Sequence, residues 1–119
     1  MIYRDIAGRG SGKSTRILKE AIATHSNIAT FSYQSVKHFK NLAEELRVPY
    51  KELPNGVLYL GKPTVSIVAP ISYWITRSNS AGNRNKILVD ELTACMNHIL
   101  NGNFGGYSDD DFAYELKGE

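Results

Sequence analysis

A glycine-rich stretch near the amino terminus, AGRGSGKST at residues 7–15, constrains the fold of this chain more than any other feature. It follows a short apolar-flanked segment, residues 2–6, and runs into a helical pattern, which is the strand–loop–helix context that a phosphate-binding loop requires. Glycines let consecutive backbone N–H groups turn inward around an anion, and the following helix adds the positive end of its dipole. The predicted phosphate-binding residues are Gly8, Arg9, Gly10, Ser11, Gly12, Lys13, Ser14 and Thr15.

The loop departs from the usual Gly-x4-Gly-Lys-Ser/Thr spacing at its first position, which is Ala7. A small residue is accepted there in permissive versions of the motif, so we interpret the loop as a variant. Lys13 has the reach to contact β- and γ-phosphates, and the Ser14 hydroxyl is placed to ligate Mg²⁺. The alternative is a Gly/Ser-rich loop that contains Lys-Ser by chance, because such short motifs also occur by accident.

A second motif, KILVDE at residues 86–91, is a short apolar run that ends in two carboxylates. Such a run is typical of a fully buried parallel strand. At the carboxyl end of that strand, Asp90 can hold Mg²⁺ through its water shell, and Glu91 can orient or deprotonate an attacking water. Alternatively, the pair is favoured by the dipole of the helix that follows. The two motifs together predict a site for ATP and Mg²⁺.

The remaining pattern predicts an α/β fold with a β-hairpin. Gly61-Lys62-Pro63 separates the two hairpin strands, and Ser32 or Ser35 is the predicted cap of the second helix. The predicted elements are a strand within residues 1–6, helix 14–24, strand 27–31, a helix to about residue 46, strands 56–60 and 64–69, a loop over 71–85 with room for one helical turn at 72–76, strand 86–90, a helix to residue 100, and a short terminal helix over 108–119.

Length and composition predict one domain over residues 1–119, with an acidic tail at about 102–119. The net charge of +2 is too small to predict nucleic-acid binding by itself. A single cysteine excludes an internal disulfide framework and a multi-cysteine zinc site. No apolar run reaches the roughly 18 residues that span a bilayer, and a first strand beginning at Met1 leaves no room for a signal peptide. We therefore expect a cytoplasmic protein with no membrane partner.

Three other residue types receive structural interpretations. Trp74 is expected to anchor the core, rather than to stack on a base, because strand-like apolar residues lead into it. Cys95 lies on the apolar face of its predicted helix and is expected to be buried. The histidines His25, His38 and His98 show no metal-ligand spacing with one another or with Cys95, so we expect them at the surface or at helix ends.

Arg9 is unusual in a phosphate-binding loop, where that position is mostly small or variable. The loop with Arg9, an aromatic segment that includes Trp74, and the strand ending in Asp-Glu together resemble the DNA-packaging ATPases of tailed phages, the large terminase type. The matching pieces are residues 8–14, residues 69–74 with Ser78-Asn79 after them, and residues 87–91. In the order of elements, the resemblance covers about residues 1–92.

The resemblance implies a RecA-like (ASCE) P-loop NTPase core with three layers, a reduced and mostly parallel sheet, and a β-hairpin insertion. In such a core Glu91 is the catalytic carboxylate, assisted by Lys13. It also implies host cytoplasm as the location if the chain is phage-encoded. Arg9 would offset charge on the transferring phosphoryl group, or it would be a surface arginine or a salt-bridge partner of Asp5 or Glu91. The family continues into a strand with a polar coupling residue, and no such apolar pattern follows Glu91 here. The two motif strands therefore either pair directly or are separated by a strand from another chain.

Two functions follow as expectations. The first is an ATPase of the packaging type that works as a homo-oligomer or docked on a larger complex, with double-stranded DNA as its partner. The second is a nucleotide-binding regulatory or interaction protein with weak or no hydrolysis. A small-molecule kinase fits less well, because a trailing glutamate is unusual there and a lid with several arginines is expected. Arg77 and Arg84 would contact nucleic acid or a neighbouring subunit's nucleotide, or would simply solvate their loop.

Overall fold

The computed structural model describes residues 3–6, 10, 12–77 and 85–108. The predictions for Gly8, Arg9 and Ser11, for the polar loop at residues 78–84, and for a terminal helix beyond Ser108 lie outside these residues. The helices and strands are α1 Lys13–Thr24, β1 Asn27–Thr30, α2 Tyr33–Glu45, β2 Tyr50–Glu52, β3 Leu58–Leu60, β4 Ser66–Pro70, α3 Ile71–Thr76, β5 Ile87–Val89 and α4 Leu92–Ile99.

The chain forms an α/β domain with a five-stranded sheet in the order β2-β3-β4-β1-β5. Strand β1 pairs in parallel with both β4 and β5, whereas β3 pairs antiparallel with β2 and with β4. The predicted hairpin of β3 and β4 is therefore confirmed. The prediction of a mostly parallel sheet is wrong, because this hairpin belongs to the main sheet and β2, which the sequence did not predict, extends it.

Residues 3–6, the described part of the predicted first strand, adopt neither helix nor strand. The Asp5 carboxylate accepts two hydrogen bonds from Arg16 of α1, at 2.6 Å from Nε and 3.1 Å from Nη2. Tyr3 packs against the core beside α1, whereas Ile6 is 59% exposed. This segment therefore packs along the first helix, and β1 is the middle one of the three parallel strands β4, β1 and β5.

Two apolar clusters, one on each face of the sheet, form the core. Alternate strand residues point to opposite faces, so Ile28 and Val68 meet α1 and α2, whereas Ala29 and Ala69 meet Trp74 of α3. The Trp74 indole donates a 3.0 Å hydrogen bond to the carbonyl of Ile28, which confirms its predicted role as a core anchor. None of the helices in the described ranges is long and apolar enough to cross a membrane.

Strand β5 lies at one edge of the sheet and is more exposed than predicted. Ile87 is 42% exposed, and Leu88 and Val89 are half-buried, because within the described ranges only β1 pairs with β5. The prediction of a fully buried strand is therefore wrong. Direct pairing between the strands of the two motifs is likewise not observed among residues 3–6 and 87–89.

The connection between α1 and β1 positions the site. Helix α1 ends at His25, which adopts the left-handed conformation with φ 54°, and β1 begins two residues later at Asn27. Such a short connection makes α1 run antiparallel to β1, so the N-terminus of α1 lies at the carboxyl edge of the parallel strands. The residues that follow β5 emerge at the same edge, where α/β sheets commonly bind their ligands.

Candidate functional site

The N-terminus of α1 is built from the glycine-rich stretch. Gly12 is the N-cap with φ 84°, and Gly10 has φ 73°, both in the left-handed region that favours glycine. The N–H groups of the first helical turn have no partners within the helix, and a glycine cap has no side chain that could accept from them. These donors and the helix dipole therefore suit an anion.

A cleft of about 500 Å³ opens in front of this helix end. It is bordered by Gly10 and Gly12, by the first turn of α1, by α2 and by Glu91. A Cβ added at Gly10 would meet nothing within 4 Å, so the backbone here is open to a ligand. The lining residues are Gly10, Gly12, Lys13, Ser14, Thr15, His38, Leu42 and Glu91.

Lys13 and Glu91, which the sequence assigned to one site, meet in this cleft. Lys13 Nζ lies 3.9 Å from Glu91 Oε1, and the two side chains are 24% and 53% exposed. An ion pair this long and this open to solvent stabilises a protein by about 0–1 kcal/mol. A more strongly charged group, such as a phosphate, can therefore replace Glu91 as the partner of Lys13 at little cost.

Asp90 is a buried carboxyl at the end of β5. Its backbone N–H donates a 2.8 Å hydrogen bond to Ala29, which continues the pairing with β1, and the residue is only 6% exposed. Burial, together with the charge of Glu91, raises the pKa of Asp90 to about 6, while Lys13 and His38 act in the opposite direction. A divalent cation beside this carboxyl would favour its charged form.

Glu91 has an uncommon backbone conformation for its position. Its φ of 59° places it in the left-handed region at the N-cap of α4. Among the described residues, three others that are not glycine share this conformation, but they lie at or just after the carboxyl ends of helices, where it is common. A non-glycine residue there costs about 1 kcal/mol, and such costs cluster at functional sites. The three comparison residues are His25, Arg47 and Asn101.

Helix α2 contributes His38 and Leu42, which the sequence analysis did not assign to the site. His38 was expected at the surface or at a helix end, and it is exposed, but it stands in the middle of α2 on the wall of the cleft. One signal was present, because residues four apart share a helix face and Leu42 belongs to the predicted apolar face. That spacing puts His38 at the border of the face that packs inward.

The other predicted site residues either do not line the cleft or, like Arg9 and Arg84, lie outside the described residues. Arg77 stacks on the Tyr73 ring at 4.0 Å and does not line the cleft. Asp5, one suggested partner of Arg9, is held by Arg16. Cys95 is 1% exposed, which confirms the predicted burial, and its thiol donates to the carbonyl of Asp90 at 3.5 Å.

The donor set fits a metal held jointly by protein and phosphate. Within the described ranges no group of three or more His, Cys, Asp or Glu side chains could enclose a metal ion. A magnesium ion in a nucleotide site needs fewer protein ligands, typically a hydroxyl and one carboxylate, because phosphates and water supply the rest. Ser14, which lines the cleft, and the buried Asp90, which precedes the lining residue Glu91 but is not itself in the lining, are residues of these two types.

Comparison of the chain with protein-family models, with curated proteins and with solved structures finds no match. The function proposed for the cleft therefore rests on its geometry and on the sequence motifs.

Proposed function

We propose that this protein binds Mg·ATP in the cleft at the N-terminus of α1 and hydrolyses it, as a P-loop ATPase. One observation carries the proposal. Lys13, at the start of a glycine-capped helix, and Glu91, after a distant strand, come within 3.9 Å of each other in the same cleft. Both residues belong to motifs that predict the same nucleotide site, so their proximity is not readily explained as the chance meeting of two unrelated surface residues.

The cleft residues have separate roles in this proposal. The N–H groups at the start of α1 and the ammonium of Lys13 bind the phosphates, and Ser14 with Asp90 holds Mg²⁺. Mg²⁺, when bound, neutralises phosphate charge and orients the terminal phosphate. Once a phosphate oxygen replaces Glu91 as the partner of Lys13, the Glu91 carboxylate is free to accept a proton from the attacking water. The products are ADP and inorganic phosphate.

The second candidate, a nucleotide-binding regulator with little or no hydrolysis, is favoured by the exposed edge of β5. The resemblance predicts a strand with a coupling residue that follows Glu91 in the chain and lies between the two motif strands, and residues 92–108 contain α4 and no strand. The packaging function, its double-stranded DNA partner and an oligomeric assembly rest on the sequence resemblance. Stimulation of ATP turnover by double-stranded DNA is the result that the packaging function requires.

Isothermal titration calorimetry of the protein with Mg·ATP tests the proposal directly. We expect saturable binding by the wild type and a loss of affinity of about tenfold to hundredfold in Lys13→Ala, because one charge-assisted contact is removed. Lys19→Ala is the matched control, since Lys19 lies on the same helix, is exposed and is not part of the cleft. It should bind Mg·ATP as the wild type does. Absence of binding by the wild type, or equal affinities in all three proteins, contradicts the proposed site.

A further inference from the structure

Two buried hydroxyl groups, those of Thr30 and Ser66, have no hydrogen-bond partner among the described residues. The two residues are 0% and 1% exposed, respectively. A buried hydroxyl without a partner is unfavourable, and native proteins contain few of them, so each one calls for an explanation. The two groups lie at opposite ends of the sheet, and only one of these ends carries the cleft.

Thr30 is the last residue of β1, the middle one of the three parallel strands, and the register extended by one residue places it opposite Asp90, which directly follows β5. The register pairs Ala29 with Val89, and the N–H of Asp90 continues this pairing by donating to Ala29. The next pair in the same register is therefore Thr30 and Asp90, at the carboxyl edge of the sheet. No hydrogen bond joins the Thr30 hydroxyl to the Asp90 carboxyl in this structure.

The alternation of strand side chains places both residues on the face that carries α1. Ile28 and Leu88 both pack in the cluster with α1 and α2. Thr30 stands two residues beyond Ile28 in β1, and Asp90 stands two residues beyond Leu88, directly after the end of β5. The alternation, continued one residue past Val89, puts both side chains on that face. This is the side on which the N-terminus of α1 and Lys13 border the cleft.

Ser66 differs from Thr30 in its position, although it is equally buried. It is the first residue of β4, which runs parallel to β1 and ends at Pro70 opposite Thr30. Ser66 therefore lies at the amino edge of the sheet, away from α1's N-terminus and from the residues that line the cleft. Both hydroxyls carry the same cost in the ligand-free protein, but only Thr30 is placed to gain a partner from a bound ligand.

We propose that Thr30 is a positioning residue of the metal site and that its hydroxyl orients the Asp90 carboxylate when Mg·ATP is bound. The inference rests on the proposed function and adds a residue to it. Metal ligands are commonly held by a hydrogen bond from a neighbouring group, and removal of that group typically lowers metal affinity about 10–100-fold. In this proposal, the hydroxyl gains its partner, the Asp90 carboxylate, only when Mg·ATP is bound.

The test combines calorimetry with thermal unfolding on Thr30→Val, Thr30→Ser and Ser66→Ala. Binding of ATP is measured with Mg²⁺ and with EDTA, and the melting temperature is measured without ligand. We expect Thr30→Val to lose about tenfold in affinity with Mg²⁺ and to bind as the wild type does in EDTA. Thr30→Ser, which keeps the hydroxyl, should restore the affinity. Ser66→Ala should bind like the wild type under both conditions.

Thermal unfolding separates this role from a structural one. Without ligand, Thr30→Val should melt about 4–8 °C higher than the wild type, because a buried unpartnered hydroxyl is replaced by a methyl group of the same shape. If Thr30→Val does not fold, Thr30→Ala is compared with Thr30→Ser in the same binding assay. A variant that is less stable and loses affinity equally with Mg²⁺ and EDTA has a structural defect, and that result overturns the inference.

The remaining outcomes distinguish the inference from the proposed function. A wild type that binds no Mg·ATP overturns the proposed function, and the inference is overturned with it. A wild type that binds Mg·ATP, together with a Thr30→Val variant of the same Mg²⁺-dependent affinity, overturns the inference alone. Equal losses in Thr30→Val and Ser66→Ala also overturn it, because a role in the metal site does not extend to Ser66.

Discussion

Glu91→Gln is expected to lower ATP turnover about 10²–10⁴-fold while Mg·ATP still binds. The amide has the size of the carboxylate and can occupy the same place in the cleft, but it cannot accept a proton from water, and general-base catalysis contributes about this factor. The half-exposed ion pair with Lys13 contributes little to folding, so the melting temperature should hardly change. Phosphate release under saturating Mg·ATP and calorimetric affinity are the two measurements.

Glu45→Gln is the matched control for this variant, because Glu45 is an exposed glutamate at the end of α2 and does not line the cleft. It should turn over ATP at the wild-type rate. Unchanged turnover in Glu91→Gln contradicts the role of Glu91 as the base. Tight binding of Mg·ATP without turnover in the wild type supports the regulatory function instead. Each protein is also assayed with double-stranded DNA, because the packaging function requires a stimulation that Glu91→Gln abolishes.

Local sequence patterns predicted the elements whose stabilising contacts are close in the chain. The apolar spacing of α1 predicted its position to within a residue, and its end at His25 follows from the polar residues there. Ser32 was one of two predicted caps for α2, and its hydroxyl accepts the N–H of Ser35 at 3.3 Å. The burial of Trp74 and Cys95 followed from apolar patterns in the same way.

The errors arise where distant partners decide the outcome. Strand β2 is short and exposed at Lys51 and Glu52, so its pairing with β3 leaves almost no apolar signal in the sequence. Residues 3–6 have strand-like apolar flanks, but Asp5 binds Arg16 on α1 instead. The KILVD run has the composition of a buried strand, yet burial requires neighbours on both sides. Within the described ranges, β5 has one neighbouring strand.

The proximity of Lys13 and Glu91 was predicted from the motifs, although it depends on the order of the strands in the sheet. The roles that the motifs assign to Lys13, Ser14, Asp90 and Glu91 stay predictions. His38 was missed because its place in the cleft lining depends on which side of α2 faces the cleft. The sequence likewise contained no sign that Thr30 would be buried without a partner.

Three features of the cleft region lower the stability of the ligand-free fold. Glu91 has a left-handed backbone, Asp90 has a carboxyl whose charge is disfavoured by burial, and Thr30 has a hydroxyl without a partner among the described residues. All three lie at the carboxyl edge of β1 and β5. We attribute this concentration to the proposed ligand site, because a bound cation stabilises a carboxylate whose charge is costly in its absence.

Asp90→Asn is therefore expected to stabilise the ligand-free protein and to abolish most of its Mg²⁺-dependent affinity for ATP. The pKa of Asp90 is raised from 3.8 to about 6 in the fold, so the folded state favours the protonated form. The stabilisation from this proton is complete below pH 3.8 and is lost as the pH rises through about 6. Asparagine does not titrate, so at pH 7 the variant should exceed the wild type by about 2–3 kcal/mol in free energy of unfolding.

Urea unfolding of both proteins between pH 4 and pH 7 measures this difference, because titrations shared by the two chains cancel. The difference should be small at pH 4 and should grow up to about pH 6–7, following the pKa of Asp90. Asp5→Asn is the control: it removes a carboxylate that Arg16 holds outside the cleft, so it should lower stability and leave Mg²⁺-dependent binding unchanged.

In Asp90→Asn, loss of a charged metal ligand should weaken binding with Mg²⁺ on the order of hundredfold and hardly affect binding in EDTA. A variant that is less stable than the wild type at pH 7, or one that binds Mg·ATP equally well, contradicts a metal-binding role for this buried carboxyl. Stability gained together with binding lost is the combination that a purely structural aspartate does not produce, since its removal lowers stability at every pH at which it is charged.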